Sequence, residues 1–321
     1  MTRCLSQLKQ AAQQEAQNYR PMLMSGLRTG GLAVLGGLGL WPLVNRLPML
    51  GWDWAMTFQN NDGLVHPPYL HPTLAVLTWL PWRDSLGLLN SLTLITLALA
   101  VWKHGGRFGT ILFALLTPPL WMVLWDGQLD GLILLGIISE VPLLVFLKPN
   151  IGPWSLFKHW GALALGAVFF LITLWLWSLW FLRLGNVAFG HPAAMGWGTL
   201  GWPILLVGLG MLLGAGPNPY RLMAAGCLIS PYLMPYHFLL LTPALGAVRG
   251  YRQIMIFLSL WLTLLSLGLG GWFRWLGLLC PLSVYGCLHH WPDYLTQLRR
   301  VCGWGQRVKK AIFLPREPFK N

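Results

Sequence analysis

The chain has 321 residues, of which only 22 are Lys or Arg and 9 are Asp or Glu, while apolar residues make up 55% and the mean hydropathy is +0.57. A soluble domain is close to one quarter charged, so 10% charge excludes a soluble enzyme, a disordered chain and a disulfide-stapled secreted module. What is left is an all-α polytopic membrane protein.

Residues 1–28 form the first segment. They are too polar for a cleavable signal and hold no short apolar run ending in a small-residue site. Leu5, Leu8, Ala12, Ala16 and Tyr19 recur at helical spacing. That pattern fits an amphipathic helix resting on the inner leaflet, or a plain solvated terminus. The first charge-free window is 29–45. Windows 85–102 and 108–125 follow, separated by Lys103-His104-Gly105-Gly106-Arg107. Region 126–158 is harder to place. It reads as one crossing over 132–147, interrupted by Glu140 and Pro142, with a re-entrant pair of half-helices as the competing reading. Windows 160–182 and 199–215 come next. Window 222–248 is broken by Ser230-Pro231-Tyr232-Leu233-Met234-Pro235-Tyr236-His237, which suggests two short helices meeting at a polar tip. Windows 253–273 and 275–292 complete the membrane domain, 29–292, and residues 293–321 form a basic tail. With about 20 apolar residues per crossing, the series predicts about ten crossings, within a range of eight to eleven.

Counting Lys and Arg on alternate sides orients the chain. With both termini in the cytoplasm of a cell whose plasma membrane the chain crosses, eighteen of the 22 basic residues lie inside. Only Arg46, Arg83, Arg183 and Arg274 lie outside. The net charge of +13 is then topology and requires no nucleic acid. Trp41, Trp52, Trp82, Trp102, Trp125 and Trp272 flank the windows, at the depth amphipathic rings prefer. The acidic residues are also one-sided. Asp53, Asp62, Asp84, Asp126 and Asp130 lie outside, and only Glu140 falls within a crossing. A transporter would want more ionisable groups at the bilayer midplane. Cys4, Cys227, Cys280, Cys287 and Cys302 form no CxxC pair and no metal-ligand spacing, so no metal is expected.

Four external or broken stretches carry the candidate chemistry. The loop 46–84 contains Trp52-Asp53-Trp54, then Asp62, then His66-Pro67-Pro68. Asp53 sits beside apolar rings just after the first span. Partial desolvation there would raise its pKa toward the range of a general base. An aspartate capping the next helix explains the same placement. The second stretch is Trp125-Asp126-Gly127-Gln128-Leu129-Asp130-Gly131. It is either a turn with helix-capping Asp or a polar wall for a hydroxyl-rich substrate. The third is Leu147-Lys148-Pro149-Asn150, in which Lys148 either snorkels to the interface or meets a phosphate. The fourth is 230–237, with Tyr232, Tyr236 and His237, either a hydrogen-bonded kink or a tip facing water or ligand.

Taken in order, these motifs resemble the GT-C glycosyltransferases, specifically the polyprenol-phosphate-mannose-dependent mannosyltransferase-like family. The resemblance runs from about Gly51 to Leu245. It implies a GT-C-like fold and a hexosyltransferase that moves a sugar from a lipid-linked sugar phosphate to a glycan, lipid or protein acceptor on the extracytoplasmic face. Asp53 matches the family's external-loop base. His66-Pro67-Pro68 matches Tyr-Pro-Pro, Gly127-Gln128 matches Gly-Gln, Lys148-Pro149 matches Lys-Pro, and Ser230-Pro231 with Tyr236 matches the late Ser-Pro and Tyr. The substrate pocket it implies consists of Asp62, His66, Asp126, Gln128, Lys148, Tyr232, Tyr236 and His237, with Asp53 catalytic. The donor is a substrate, and no cofactor is implied. The sequence departs from the pattern in having Tyr232 where the family often has His, and in a shortened Gln128–Lys148 interval. Those departures also suit a non-catalytic subunit that keeps the fold and scaffolds a larger membrane complex.

Overall fold

The computed structural model describes residues 24–48, 51, 53–55, 69–70, 74, 77, 79–148, 150–158, 160–177, 194–269 and 271–289. The N-terminal segment to residue 23, Asp62, His66, Arg183 and the tail from residue 290 lie outside the described residues. Every regular element among those described is helical. Three helices are long and apolar enough to cross a membrane: α1 (Met24–Val44), α2 (Trp82–Lys103) and α12 (Tyr251–Leu269). A fourth candidate is a pair, α3 (Phe108–Leu115) and α4 (Pro118–Asp126), bent by 56°. The remaining helices are α5 (Asp130–Ser139), α6 (Pro142–Val145), α7 (Trp160–Trp177), α8 (Trp197–Leu200), α9 (Trp202–Gly214), α10 (Pro219–Ile229), α11 (Ala244–Ala247), α13 (Arg274–Gly277) and α14 (Leu279–Leu288). Short 3-10 segments cover Gly152–Lys158, Pro235–Leu241 and Gly271–Phe273.

The expected ten crossings are thus corrected to three, or four with the bent pair, among the described residues. The physical reason is local. Pro118 and Pro119 remove two amide donors and end α3 before α4 begins. Gly201, at φ 103°, separates α8 from α9. Each break leaves pieces too short to cross about 30 Å of hydrocarbon at 1.5 Å per residue. The break in window 222–248 falls where the sequence places it, with α10 ending at Ile229 and the 3-10 segment starting at Pro235. On α1 and α12, Leu32, Leu35, Leu43, Met255, Leu258 and Leu265 are exposed along helices of spanning length, as expected where the solvent is lipid.

The region 132–147 is not a single crossing. Helix α5 ends after ten residues at Glu140, whose backbone turns left-handed at φ 58°. Helix α6 then starts the return, and Lys148 ends beside Asp130, with its Nζ 2.6 Å from the Asp130 carboxylate. The segment is a hairpin that enters and leaves at one end of the bundle. Its tip is held by Lys103, whose Nζ donates to the Ile138 carbonyl at 2.8 Å. It is also held by α1, where a side chain on Gly26 would collide with the Ser139 backbone. The hairpin packs along α2 through Gly131, where an added Cβ would overlap the Thr93 side chain and approach its Cα to 2.9 Å. Helix α2 returns three of its buried polar side chains to backbone carbonyls. Ser91 Oγ donates to Gly87 O at 2.7 Å, Thr93 Oγ1 to Leu89 O at 2.9 Å, and Asn90 Nδ2 to Leu124 O of α4 at 2.9 Å.

The contacts sort the chain into two ends. At one, Trp41 and Asn45 of the α1 terminus hydrogen-bond Asp84 at the start of α2, and Gly51 N–H donates to Trp125 O at the end of α4. At the other, His104 packs edge-on against Tyr220, Gly106 lies against Gly246, and Arg252 reaches Cys287 O. Lys148, which the charge count placed on the inner side, belongs to the first end, with Asp53. The reversal follows from the hairpin, because a segment that turns back contributes no change of side.

Two measurements test this arrangement. In a chain cleared of its native cysteines, thiols introduced at Asp126 and Pro153 should label from the same side of the membrane, and labelling from opposite sides would restore the single crossing. Gly131→Ala should lower stability by about 1–3 kcal/mol in thermal unfolding because the backbones must separate. Gly210→Ala on α9, which meets nothing within 4 Å, should be neutral or slightly stabilising.

Candidate functional site

The site is assembled at the first end from four separated stretches. Residues 53–55 form a single helical turn, tied by Ala55 N–H to Gly51 O at 2.8 Å. Trp54 is the anchor: its ring is buried and its indole N–H donates to Ser85 Oγ at 2.7 Å. That burial fixes the neighbouring Asp53, which is half-exposed. Gly127 ends α4 with φ 73°, and a side chain there would strike Trp54 Cβ at 2.7 Å. A residue with Cβ would therefore meet both left-handed strain and a clash. The turn aims Gln128 at Asp53, and its Nε2 donates to Asp53 Oδ2.

From Gln128 the polar chain continues inward. Its Oε1 accepts from Lys148 Nζ at 2.7 Å. Lys148 also donates to Asp130 Oδ2 at 2.6 Å. The other carboxylate oxygen of Asp130 meets His237 Nδ1 at 3.0 Å. His237 Nε2 in turn lies 3.3 Å from Asn150 Nδ2. The amide of Asn150 can only donate there, so His237 carries its proton on Nδ1 and is neutral. Tyr236 closes the group from the side. Its ring lies 4.5 Å from Lys148 Nζ and 4.5 Å, edge to face, from His237. Tyr232 and Tyr236 hydrogen-bond to each other. Asp126 is near enough to feel the charges of both Asp53 and Lys148.

The chain thus has a floor and a rim. Asp130, Gln128, His237 and Lys148 are 0%, 2%, 2% and 8% exposed. Asp53, Asp126, Asn150, Tyr232 and Tyr236 are half-buried. Burial alone would raise the Asp130 carboxyl, but the Lys148 ammonium and His237 outweigh it and hold it at about 2. Burial, reinforced by Lys148, pushes His237 below the ordinary histidine value despite Asp130. Burial pushes the Tyr232 phenol up to about 12 and raises the Tyr236 phenol well above its ordinary value. Near neutral pH the site therefore holds ionised Asp130, a neutral imidazole and two protonated phenols.

No protein-family profile, no characterised protein and no solved structure matches this chain. Its chemistry must be read from its own geometry. Of the residues singled out in the sequence, Asp53, Asp126, Gln128, Lys148, Tyr232, Tyr236 and His237 come together. Asp62 and His66 lie outside the described residues. Two members of the chain were not singled out. Asp130 bridges Lys148 and His237, and Asn150 sets the His237 tautomer. A signal for the first was present: a buried lysine after an apolar run demands a carboxylate, and Asp130 lies in the same external turn as Gln128. Nothing in the local sequence marks Asn150. Ser230 serves the loop itself, since its Oγ donates to Tyr232 O at 2.6 Å.

Removing one partner of a buried ion pair leaves the other charge unpaired, at a cost of about 3–5 kcal/mol. Lys148→Met should destabilise the protein by that order in chemical denaturation, and Lys148→Met with Asp130→Asn should recover part of the loss. Additive losses would show that the pair is not coupled. Asp130 is depressed on folding, so its contribution is fully present above the unfolded-state pKa of about 4 and falls as pH drops toward about 2. Stability followed from pH 7 to pH 2.5 should decline in that window for the native protein, and less steeply for Asp130→Asn.

Proposed function

We propose that this protein is a GT-C-like membrane glycosyltransferase that moves a hexose, mannose in the family it resembles, from a polyprenyl phosphate to an acceptor hydroxyl. The reaction would take place on the extracytoplasmic face, with both termini cytoplasmic. One observation supports the reading above the others: Asp53, Gln128 and Lys148, from three of the motifs that resemble that family, join in one hydrogen-bonded chain, and Tyr236 of a fourth packs on Lys148. The charge distribution supports the sidedness. Among the described residues Asp53, Asp84, Asp126 and Asp130 lie at the site end with Arg46, Arg83 and Lys148, while Arg28, Lys103, Arg107, Arg221, Arg249 and Arg252 lie at the other with Glu140. Basic residues concentrate on cytoplasmic loops.

In this reading Asp53 takes the proton of the acceptor hydroxyl as its oxygen attacks the anomeric carbon. The bond from that carbon to the phosphate oxygen breaks, and the electron pair leaves with polyprenyl phosphate. Gln128 is a positioning residue, because its amide ties Asp53 to Lys148. Lys148 is committed to Asp130 and Gln128, so its ammonium supplies positive potential behind the site in place of the direct phosphate contact the motif suggests. Asp126 and the phenols of Tyr232 and Tyr236 offer directional partners to sugar hydroxyls at the rim.

A second reading has its own observation. The floor of the site is closed and its charges satisfy each other, as expected of a scaffold subunit that retains the fold without the reaction. Activity separates the two. Purified full-length protein in nanodiscs, given a panel of polyprenyl-phosphate sugars, should transfer sugar, and Asp53→Asn should lower the rate about 10²–10⁴-fold with unfolding temperature unchanged. Undiminished transfer by folded Asp53→Asn would reject the assigned base. A folded native protein inert with every donor, yet recovered with a stoichiometric membrane partner, would establish the scaffold.

A further inference from the structure

The end opposite the site contains a second buried cation, and the chain treats it differently. Arg221 is 8% exposed. Its Nη2 donates to the carbonyl of Gly214, the last residue of α9. The same nitrogen lies 2.7 Å from His289 Nδ1, and the guanidinium carbon is 5.0 Å from the Tyr285 ring centroid. None of those partners is a carboxylate. Among the described residues the ion pairs are those of Asp130, so no described carboxylate answers Arg221. Its Nε is buried and has no hydrogen-bond partner.

The position makes the charge harder to hold. Arg221 is the third residue of α10, at the positive pole of that helix, and Asn218 already caps the free amides there. Arg252 reaches the Cys287 carbonyl, two residues from His289. The guanidinium is thus desolvated beside a helix N-terminus. A buried charge of this kind requires a counter-ion. A guanidinium's planar fork is matched by a phosphate, which accepts from two N–H groups at once.

The surroundings say where that phosphate comes from. Helices α9 and α14 meet at this corner, with Tyr285 Oη donating to Met211 O at 2.7 Å. Both helices are apolar, and Leu209, Leu213, Leu279 and Leu282 are exposed on them, Leu213 at 90%. Trp102 and Tyr251 are exposed at the same end, as aromatic rings are at headgroup depth. Acyl chains have an apolar track beside the guanidinium, which a free phosphate would leave bare.

We propose that Arg221, framed by Gly214, Tyr285 and His289, is a binding site for the headgroup phosphate of an anionic phospholipid, at the end of the bundle remote from the Asp53 site. The purified full-length chain should retain one phosphatidylglycerol in native mass spectra. Its unfolding temperature in detergent should rise by several degrees with phosphatidylglycerol and not with phosphatidylcholine. Arg221→Gln should lose the retained lipid. Arg221→Lys, which keeps the charge without the fork, should bind it roughly tenfold more weakly. If Arg221→Gln does not fold, the Arg221→Lys protein and the native titration decide. Native-like phosphatidylglycerol binding by folded Arg221→Lys or Arg221→Gln overturns the proposal. Inorganic phosphate stabilising the native protein as strongly as the lipid does so too, as does a native protein indifferent to both.

Discussion

The contact between Lys148 and Asp130 is the constraint on which the rest of the site depends. It joins the start of α5 to the end of the returning strand of the hairpin, and so fixes where that segment leaves the bundle. The carboxylate is buried completely, so it has to be shared between strong donors. Lys148 takes one oxygen and His237 the other. Through Lys148 the constraint passes to Gln128 and then Asp53. Through His237 it passes to Asn150 and the 230–237 loop. A neutral pair of the same volume would fill the space equally well, but it would not fix the direction of each neighbouring donor.

The same principle read at the other end explains the asymmetry of the molecule. The site end has carboxylates to spare, and its one buried cation is paired inside the protein. The other end has cations to spare, and Arg221 draws on a helix C-terminal carbonyl, a π-face and an imidazole nitrogen. A chain with nine acidic residues for 22 basic ones cannot neutralise both ends from its own side chains. Its scarce carboxylates are spent where orientation matters. In the lipid site proposed above, headgroup phosphates answer that surplus, and the electrostatic balance of the fold then includes the bilayer.

Much of the helical content was legible because apolar windows are long and charge is sparse. α1, α2 and α12 fall where hydropathy places them, and the break before Pro235 is signalled by its own polar residues. The re-entrant hairpin was not legible as such. A run of apolar residues interrupted by Glu140 and Pro142 has the composition of one crossing or of two half-crossings, and only Lys148 finding Asp130 distinguishes them. The kink at Pro118-Pro119 was visible as residues but was absorbed into a window because neither proline carries charge. For the site, the motif order brought seven residues into view, since each is a costly polar group in an apolar chain. Asp130 was read as a cap or as part of a polar wall, and Asn150 was given no role, because their roles arise from partners 107 and 87 residues away in sequence.

The division between floor and rim limits what chemistry the arrangement can carry. Groups on the floor are saturated, so a ligand that engaged them would have to break a hydrogen bond to a buried charge for each one it made. Groups on the rim face the opposite balance. Asp53 is half-exposed and held through one oxygen by Gln128, while Asp126 and the phenols are oriented by their neighbours. In the proposed reaction a substrate would meet pre-oriented groups at the surface, backed by a fixed field from Asp130 and Lys148. Preorganisation of this kind is what a reaction with one developing charge and one proton transfer needs. It also explains why the anchoring falls to Trp54 and Gly127, which touch no substrate. The neighbouring indole and the glycine turn hold the backbone of Asp53 in place.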